Sequence, residues 1–253
     1  MNAFLDMSSA NIIWYALVLF GASYIRGFSG FGFTAVLMTG CTMIMPIAEI
    51  VPLSIALELV ASSGQSFSII RYVDWRKLGV LLATGVLCTP LGVALLTHAP
   101  DLALRAFVLL FIFGSSIYLI FSRRPHQTFS PGTYVLAGSV IGVVNGATAL
   151  SGLVLALFFS LTNESPKKMR ATMIAYLFLA DIWAGSILFG SGFYESDTLR
   201  RVLFSLPLLG LGVWLGSAHF ASVRPDNFRV AVLWLLLILS VLGIVLAVSS
   251  QLV

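Results

Sequence analysis

Residues 27–36 read GFSGFGFTAV, and Arg26 stands immediately before them. Three glycines, a serine and three phenylalanines follow a permanent cation inside an apolar run from about residue 11 to 47. As one helix that run would reach roughly 55 Å at about 1.5 Å per residue, far beyond a bilayer core. A glycine cluster in its middle predicts two shorter helical pieces meeting at a break.

The surroundings say what solvent the break sees. The chain has 253 residues, 59% hydrophobic and 9% charged, with a mean hydropathy of +1.02. Soluble domains carry roughly a quarter charged residues, so these few charges belong to an integral membrane protein whose partner is the lipid bilayer. The net charge of +4 marks loops at one membrane face rather than a nucleic-acid surface. Cys41 and Cys88 lie in apolar segments, which argues against a disulfide framework. The first residues, MNAFLDMSSAN, carry no Lys or Arg. They lack the charged region of a cleaved signal peptide, so the first apolar segment reads as an uncleaved insertion signal.

Eight hydrophobic segments are predicted, at roughly 11–47, 50–70, 78–97, 103–122, 133–161, 170–192, 201–222 and 229–250. Six suit a single span. The first and fifth are too long, and the fifth is interrupted by NGATALSG at 145–152. The longest polar stretches are the short loops 122–132 and 162–170, so no soluble domain is expected.

The two halves echo each other. Trp75-Arg76-Lys77-Leu78 matches Leu199-Arg200-Arg201-Val202 at an offset of 124, and Leu91-Gly92-Val93-Ala94 matches Leu215-Gly216-Ser217-Ala218 at the same offset. Pro100-Asp101 with Arg105 resembles Pro225-Asp226 with Arg229. Ser29-Gly30 pairs with Ser151-Gly152 at 122, and Pro46 with Pro166 at 120. The expected organisation is a first transmembrane repeat over 1–125, a linker over 126–132 and a second repeat over 133–253.

Positive charge orients them. If each long segment enters and returns on one side, Arg71, Arg76, Lys77, Arg123, Arg124, Lys167, Lys168, Arg170, Arg224 and Arg229 share a face. Arg105, Arg200 and Arg201 take the other. A 10 to 3 split fits a cytoplasmic first face, with both termini outside. Single full crossings would give 7 to 6 and orient nothing. Each half is then a glycine-broken element plus three helices, and the odd number makes the halves inverted repeats in an all-α polytopic fold.

Chemistry concentrates at the breaks. Bare backbone at membrane depth must be buried by protein or line a cavity. Exposed N–H groups at a half-helix N-terminus attract anions, and an arginine presents a planar set of donors to oxyanions. Arg26, Gly27, Ser29, Gly30 and Gly32 from the first break, with Asn145, Gly146, Thr148, Ser151 and Gly152 from the second, therefore read as an anion site where the halves meet. The rival reading is close helix packing by small residues. Glu58 and Asp181 sit in apolar runs at an offset of 123. They suggest a coupling proton or cation, or an ion pair with Arg26, and Gln65 adds a polar contact nearby. His98 and His219 lie near segment ends and read as interfacial. No metal cluster, nucleotide loop or ATPase motif is present, so no cofactor and no catalytic residue is expected.

The run GFSGFGFTAVLM, the turn at Pro46, the segment WRKLGVLLATGVLCTPLGVALL and the repeated half together resemble the sulfite exporter TauE/SafE family over nearly the whole chain. The resemblance implies a non-enzymatic secondary transporter of the bacterial inner membrane. It would export a small sulfur-containing anion such as sulfite or an organosulfonate. The residues leave the anion, the driving ion, import against export and the oligomeric state open, a homodimer included. Two rivals stand beside it. One is an uncoupled anion channel. The other is a rhomboid-like intramembrane serine protease, because Gly27-Phe28-Ser29-Gly30 fits a GxSG pattern and His219 offers a base.

Overall fold

The computed structural model describes residues 8–121, 129–162 and 164–222, with positions 234, 237 and 241 besides. The fold is helical: α1 (Ser9–Ser29), α2 (Phe33–Cys41), α3 (Ile47–Ile69), α4 (Trp75–His98), α5 (Asp101–Phe121), α6 (Pro131–Thr148), α7 (Ser151–Ser160), α8 (Pro166–Gly190) and α9 (Ser196–Ser222). Six of them, α1, α3, α4, α5, α8 and α9, are long and apolar enough to cross a membrane. Large side chains such as Leu87, Leu136, Phe189 and Trp214 point out of the bundle, as a lipid-facing surface requires. Apart from positions 234, 237 and 241, the eighth predicted segment lies outside the described residues, as do the matches at Pro225, Asp226 and Arg229 and the loop cations Arg123, Arg124 and Arg224.

Local signals set the boundaries. Ser8 caps α1, Asp74 caps α4 and Ser165 caps α8, each accepting a backbone N–H from three residues on. Proline stands in the first turn of α6 and of α8, where its missing N–H leaves no gap.

The first long segment stops being helix at Gly30 and resumes at Phe33. Gly30 (φ 80°) and Gly32 (φ 87°) are both left-handed. A side chain at Gly30 would also strike Arg170. α2 then folds back along α1: the Trp14 indole N–H donates to the Gly40 carbonyl at 2.7 Å. The fifth segment breaks between α6 and α7, but its left-handed residue is Ala149 (φ 55°), not a glycine. α2 and α7 are almost wholly buried, so protein surrounds both breaks.

The halves interlock. α1 runs in the same direction beside α9, from the Tyr15 and Ser205 hydroxyls at 2.6 Å to the Ser217 hydroxyl, which donates to the Gly27 carbonyl at 3.1 Å. α6 runs in the same direction beside α4, from Gly138 against Leu81 to Gly146 against Val93. Both seams are built from small residues, which let backbones touch. Between the seams α3 packs on α8, α8 also touches α4, and α3 also touches α9.

The helix ends gather into two faces. On one, Asp74 pairs with Lys168 at 2.9 Å and Lys77 pairs with Glu164. On the other, Arg201 pairs with Glu49, and the Ile47 N–H donates to Asp101 Oδ1 at 2.9 Å. Arg71, Arg76, Lys77, Lys167, Lys168 and Arg170 thus share the first face, and Arg105, Arg200 and Arg201 the second.

The first-face cluster carries a pH signature. Burial acts to raise the Asp74 carboxyl. The Lys168 hydrogen bond, the Lys77 backbone N–H and both ammonium charges outweigh it and hold the group below the usual carboxylate value. A depressed folded-state value contributes stability above the unfolded value of about 3.9, and that stability is lost as pH falls through the folded value. Thermal unfolding of detergent-purified protein should therefore show an acid-labile contribution that Asp74→Asn removes at neutral pH. Identical midpoints for wild type and variant across pH would show that the cluster does not hold this face.

Candidate functional site

The two breaks meet. Gly152, in the first turn of α7, faces the Phe31 side chain: a Cβ built on it would lie 3.5 Å from Phe31 Cβ and 3.6 Å from Leu177. Between them lies a small cavity lined by Gly32, Thr34, Glu58, Ala149, Gly152 and Leu177 among others. It has room for about one water molecule. The N-termini of α2 and α7 open onto it, so both present the partial positive charge and free N–H groups of a helix start.

Glu58 forms part of the wall and is paired from behind. The Arg26 guanidinium forms an ion pair with Glu58 through Nε and donates through Nη2 to Ser62 Oγ at 2.7 Å. Arg26 is fully buried and Glu58 nearly so. The arginine charge therefore offsets the carboxylate, rather than standing open in the cavity. Of the expected site residues, Gly32, Gly152 and Glu58 come together here.

The others are placed differently. Gly27 packs α1 against α9, where an added Cβ would collide with the Val213 backbone. The Ser29 hydroxyl is shared between the carbonyls of Ile25 (2.8 Å) and Phe31 (2.6 Å). Thr148 donates to the Val144 carbonyl at 2.9 Å, and Gly146 packs against α4. Ser151 Oγ is buried with no hydrogen-bond partner. Asn145 Nδ2 donates to Asp181 Oδ1 at 3.2 Å. Gln65 lies in α3, but its side chain falls outside the described residues. His219 Nδ1 meets the Tyr24 hydroxyl and His98 Nδ1 meets the Ala94 carbonyl at 2.8 Å. Ser29 and His219 thus form no dyad.

The correspondence of the halves also needs correcting. Gly30 and Ala149 are both left-handed C-caps, and each backbone N–H returns to the carbonyl four residues earlier, Arg26 and Asn145. Pro46 and Ser165 are both N-caps. At the breaks these equivalences share a spacing of 119 rather than the expected 120 and 122, whereas the match at 124 agrees with the packing: Gly92 meets Val143 and Ala147 on α6 as Gly216 meets Tyr24 and Phe28 on α1. In the register of the breaks, Asn145 stands where the first half has Arg26, and Leu177 stands where it has Glu58. Asp181 stands where it has Ser62. The carboxylates expected to match are one helical turn apart, and Ser29 closes α1 whereas Ser151 opens α7.

Arg170, which sequence reasoning counted only as a loop cation, turns inward over the first break. Its Nη2 donates to the Gly27 carbonyl at 2.7 Å, its guanidinium lies 4.5 Å from the Phe220 ring centroid, and its stem covers Gly30. The Ser165-Pro166 start signal places it inside the first turns of α8 rather than in the loop. Among the described residues no group of histidine, cysteine and acidic side chains is arranged to hold a metal.

Residues 15–243 match the family model described as Sulfite exporter TauE/SafE. No curated protein matches the chain, and no solved structure does.

Proposed function

We propose that this chain, which belongs to the sulfite exporter TauE/SafE family, is a secondary transporter that carries small sulfur-containing anions across the bacterial inner membrane. Sulfite, an organosulfonate or a related oxyanion is the substrate, and export is the direction. Family membership implies the coarser statement, a membrane exporter of sulfur-containing anions. The observation that carries the finer one is the convergence of the α2 and α7 N-termini on one buried cavity. Two helix starts supply unpaired N–H donors to an oxyanion. The Arg26–Glu58 pair keeps the adjacent wall from being net negative.

The inverted-repeat reading draws support from the contacts. Exchanging the halves turns the α1–α9 seam into the α6–α4 seam, and the α3–α9 contact into the α8–α4 contact. Re-entrant broken segments are supported by α2 folding back on α1. The division of charge between the two faces supports a cytoplasmic 71–77 and 162–170 side. A cavity with room for only about one water supports alternating access over the uncoupled channel, because an anion needs the halves to move before it can occupy the space.

Gly152→Ala tests the site. The added methyl makes ordinary contacts at 3.5 and 3.6 Å, so the protein should fold normally. It narrows the space between the breaks, and saturable sulfite efflux from proteoliposomes should fall about tenfold or more, the loss of roughly 1.4 kcal/mol of productive binding. Wild-type efflux in this variant would place the anion elsewhere. Fast, non-saturating conduction in the wild type would establish the channel instead.

A further inference from the structure

We infer that Asp181, held by Asn145, is a proton-binding site whose protonation favours the anion at the helix breaks. The inference rests on the transport reading above and assigns its coupling to one carboxylate.

The asymmetry between the halves carries it. In the first half a buried arginine faces a buried glutamate and a serine. In the second, the arginine position is Asn145 and the serine position is Asp181. With Leu177 at the glutamate position, the second half thus keeps one carboxylate, moved one helical turn, and lacks the cation. Asp181 and Asn145 are both about 1% exposed, and the hydrogen bond between them uses one donor and one acceptor. Asp181 Oδ2 and Asn145 Oδ1 are left buried without a partner. Two buried acceptors on one hydrogen-bonded pair, each with no donor, are costly at membrane depth. One proton on Asp181 removes both defects: the acid O–H donates to the amide oxygen while the amide N–H donates to the other carboxyl oxygen. The proton comes from water and returns to it, with no other bond made or broken.

Titratable and charged groups reach Asp181 from several elements. Glu58 on α3 is the neighbouring carboxylate, with Arg26 on α1 behind it. Tyr176 lies on the same helix, with Cys88 of α4 near it, and Tyr194 approaches from the turn after α8. Arg26 is bound to Glu58, so the nearest cation is already engaged there.

Coupling follows from position. Leu177, one turn from Asp181, lines the cavity, as does Glu58, whose charge acts on Asp181. An anion in the cavity repels an ionised Asp181 and leaves a protonated one undisturbed. By linkage, the proton strengthens anion binding by the same factor as the anion strengthens proton binding.

Methanesulfonate is the probe, because its sulfonate stays ionised over the working range and any pH dependence belongs to the protein. Binding to purified wild type, followed from about pH 5 to pH 9, should weaken as pH rises, by at most about tenfold per unit. Asp181→Asn preserves an amide pair with Asn145 and should bind the anion with less than about twofold variation over that range. Should Asp181→Asn fail to fold, Asn145→Ala gives the second reading: the wild-type transition must move in pH. A flat wild-type profile, an undiminished pH dependence in Asp181→Asn, or an unmoved transition in Asn145→Ala overturns the proton site. Absence of binding of either methanesulfonate or sulfite at every pH would overturn the transport reading beneath it, a distinct result.

Discussion

Arg26→Gln is expected to destabilise the protein by about 3–5 kcal/mol, the usual consequence of removing one partner from a buried ion pair. The residue lies in α1, its guanidinium is completely enclosed, and it meets Glu58 and Ser62 on α3. The glutamine leaves Glu58 without its cation, in a wall that must accept an anion. Thermal unfolding of the purified variant in detergent measures the loss. Replacing both partners with apolar residues of similar volume, Arg26→Met with Glu58→Leu, should restore most of the stability, because no charge is then left unpaired. Transport should not return with it, since the cavity wall loses the charge pattern that faces the substrate. Recovered stability with absent transport separates the structural role of the pair from its functional one. A wild-type unfolding midpoint for Arg26→Gln would show that the pair holds nothing. If the double variant remained as unstable as the single, some other interaction of Arg26 would hold the helices.

How much of this was legible beforehand differs between fold and site. The charge-poor composition requires helices in lipid, and over the described residues the run lengths follow the helices because an apolar helix must end near the membrane faces. The excessive lengths of 11–47 and 133–161 exposed both breaks, and the glycines at 30 and 32 marked the first turn. The second turn falls on Ala149, a residue that carries no turn signal of its own. The fine correspondence of the halves was obscured for a related reason. Short matches such as Ser-Gly at 29 and 151 draw the eye to an offset of 122, whereas the left-handed caps at Gly30 and Ala149 set it at 119. The Glu58–Asp181 offset of 123 differs from 119 by four residues, about one helical turn, enough to pair the two carboxylates on paper and to hide that Asn145 stands where the first half has Arg26. Arg170 was obscured by the positive-inside rule itself, which counts a basic residue near a helix end as a loop charge. Only the packing shows that its side chain turns inward, over Gly30.

The α4–α6 seam yields the largest effect expected from a single methyl-bearing substitution. Gly138, Gly142 and Gly146 recur at four-residue intervals along α6, and they face Leu81, Gly85 and the stretch Thr89 to Val93 on α4. Four residues is about one helical turn, so the three form a continuous groove in which the helices meet backbone to backbone. A Cβ on Gly142 would fall on the carbonyl and Cα of Gly85. Neither can swing away as a side chain would. Gly142→Val must therefore push α4 and α6 apart, and it should abolish recovery of monodisperse protein or lower its stability by more than about 3 kcal/mol, the upper range for overpacking. Gly210→Ala is the matched control: it sits in α9 with nothing within 4 Å of its added carbon, and it should leave stability unchanged or raise it by about 0.5–1 kcal/mol through helix propensity. Equal yields and unfolding midpoints for Gly142→Val and wild type would mean that the helices do not touch there. With that seam lost, α6 would have no fixed register on the first half, and Gly152, just beyond the Ala149 turn, would not be held against Phe31.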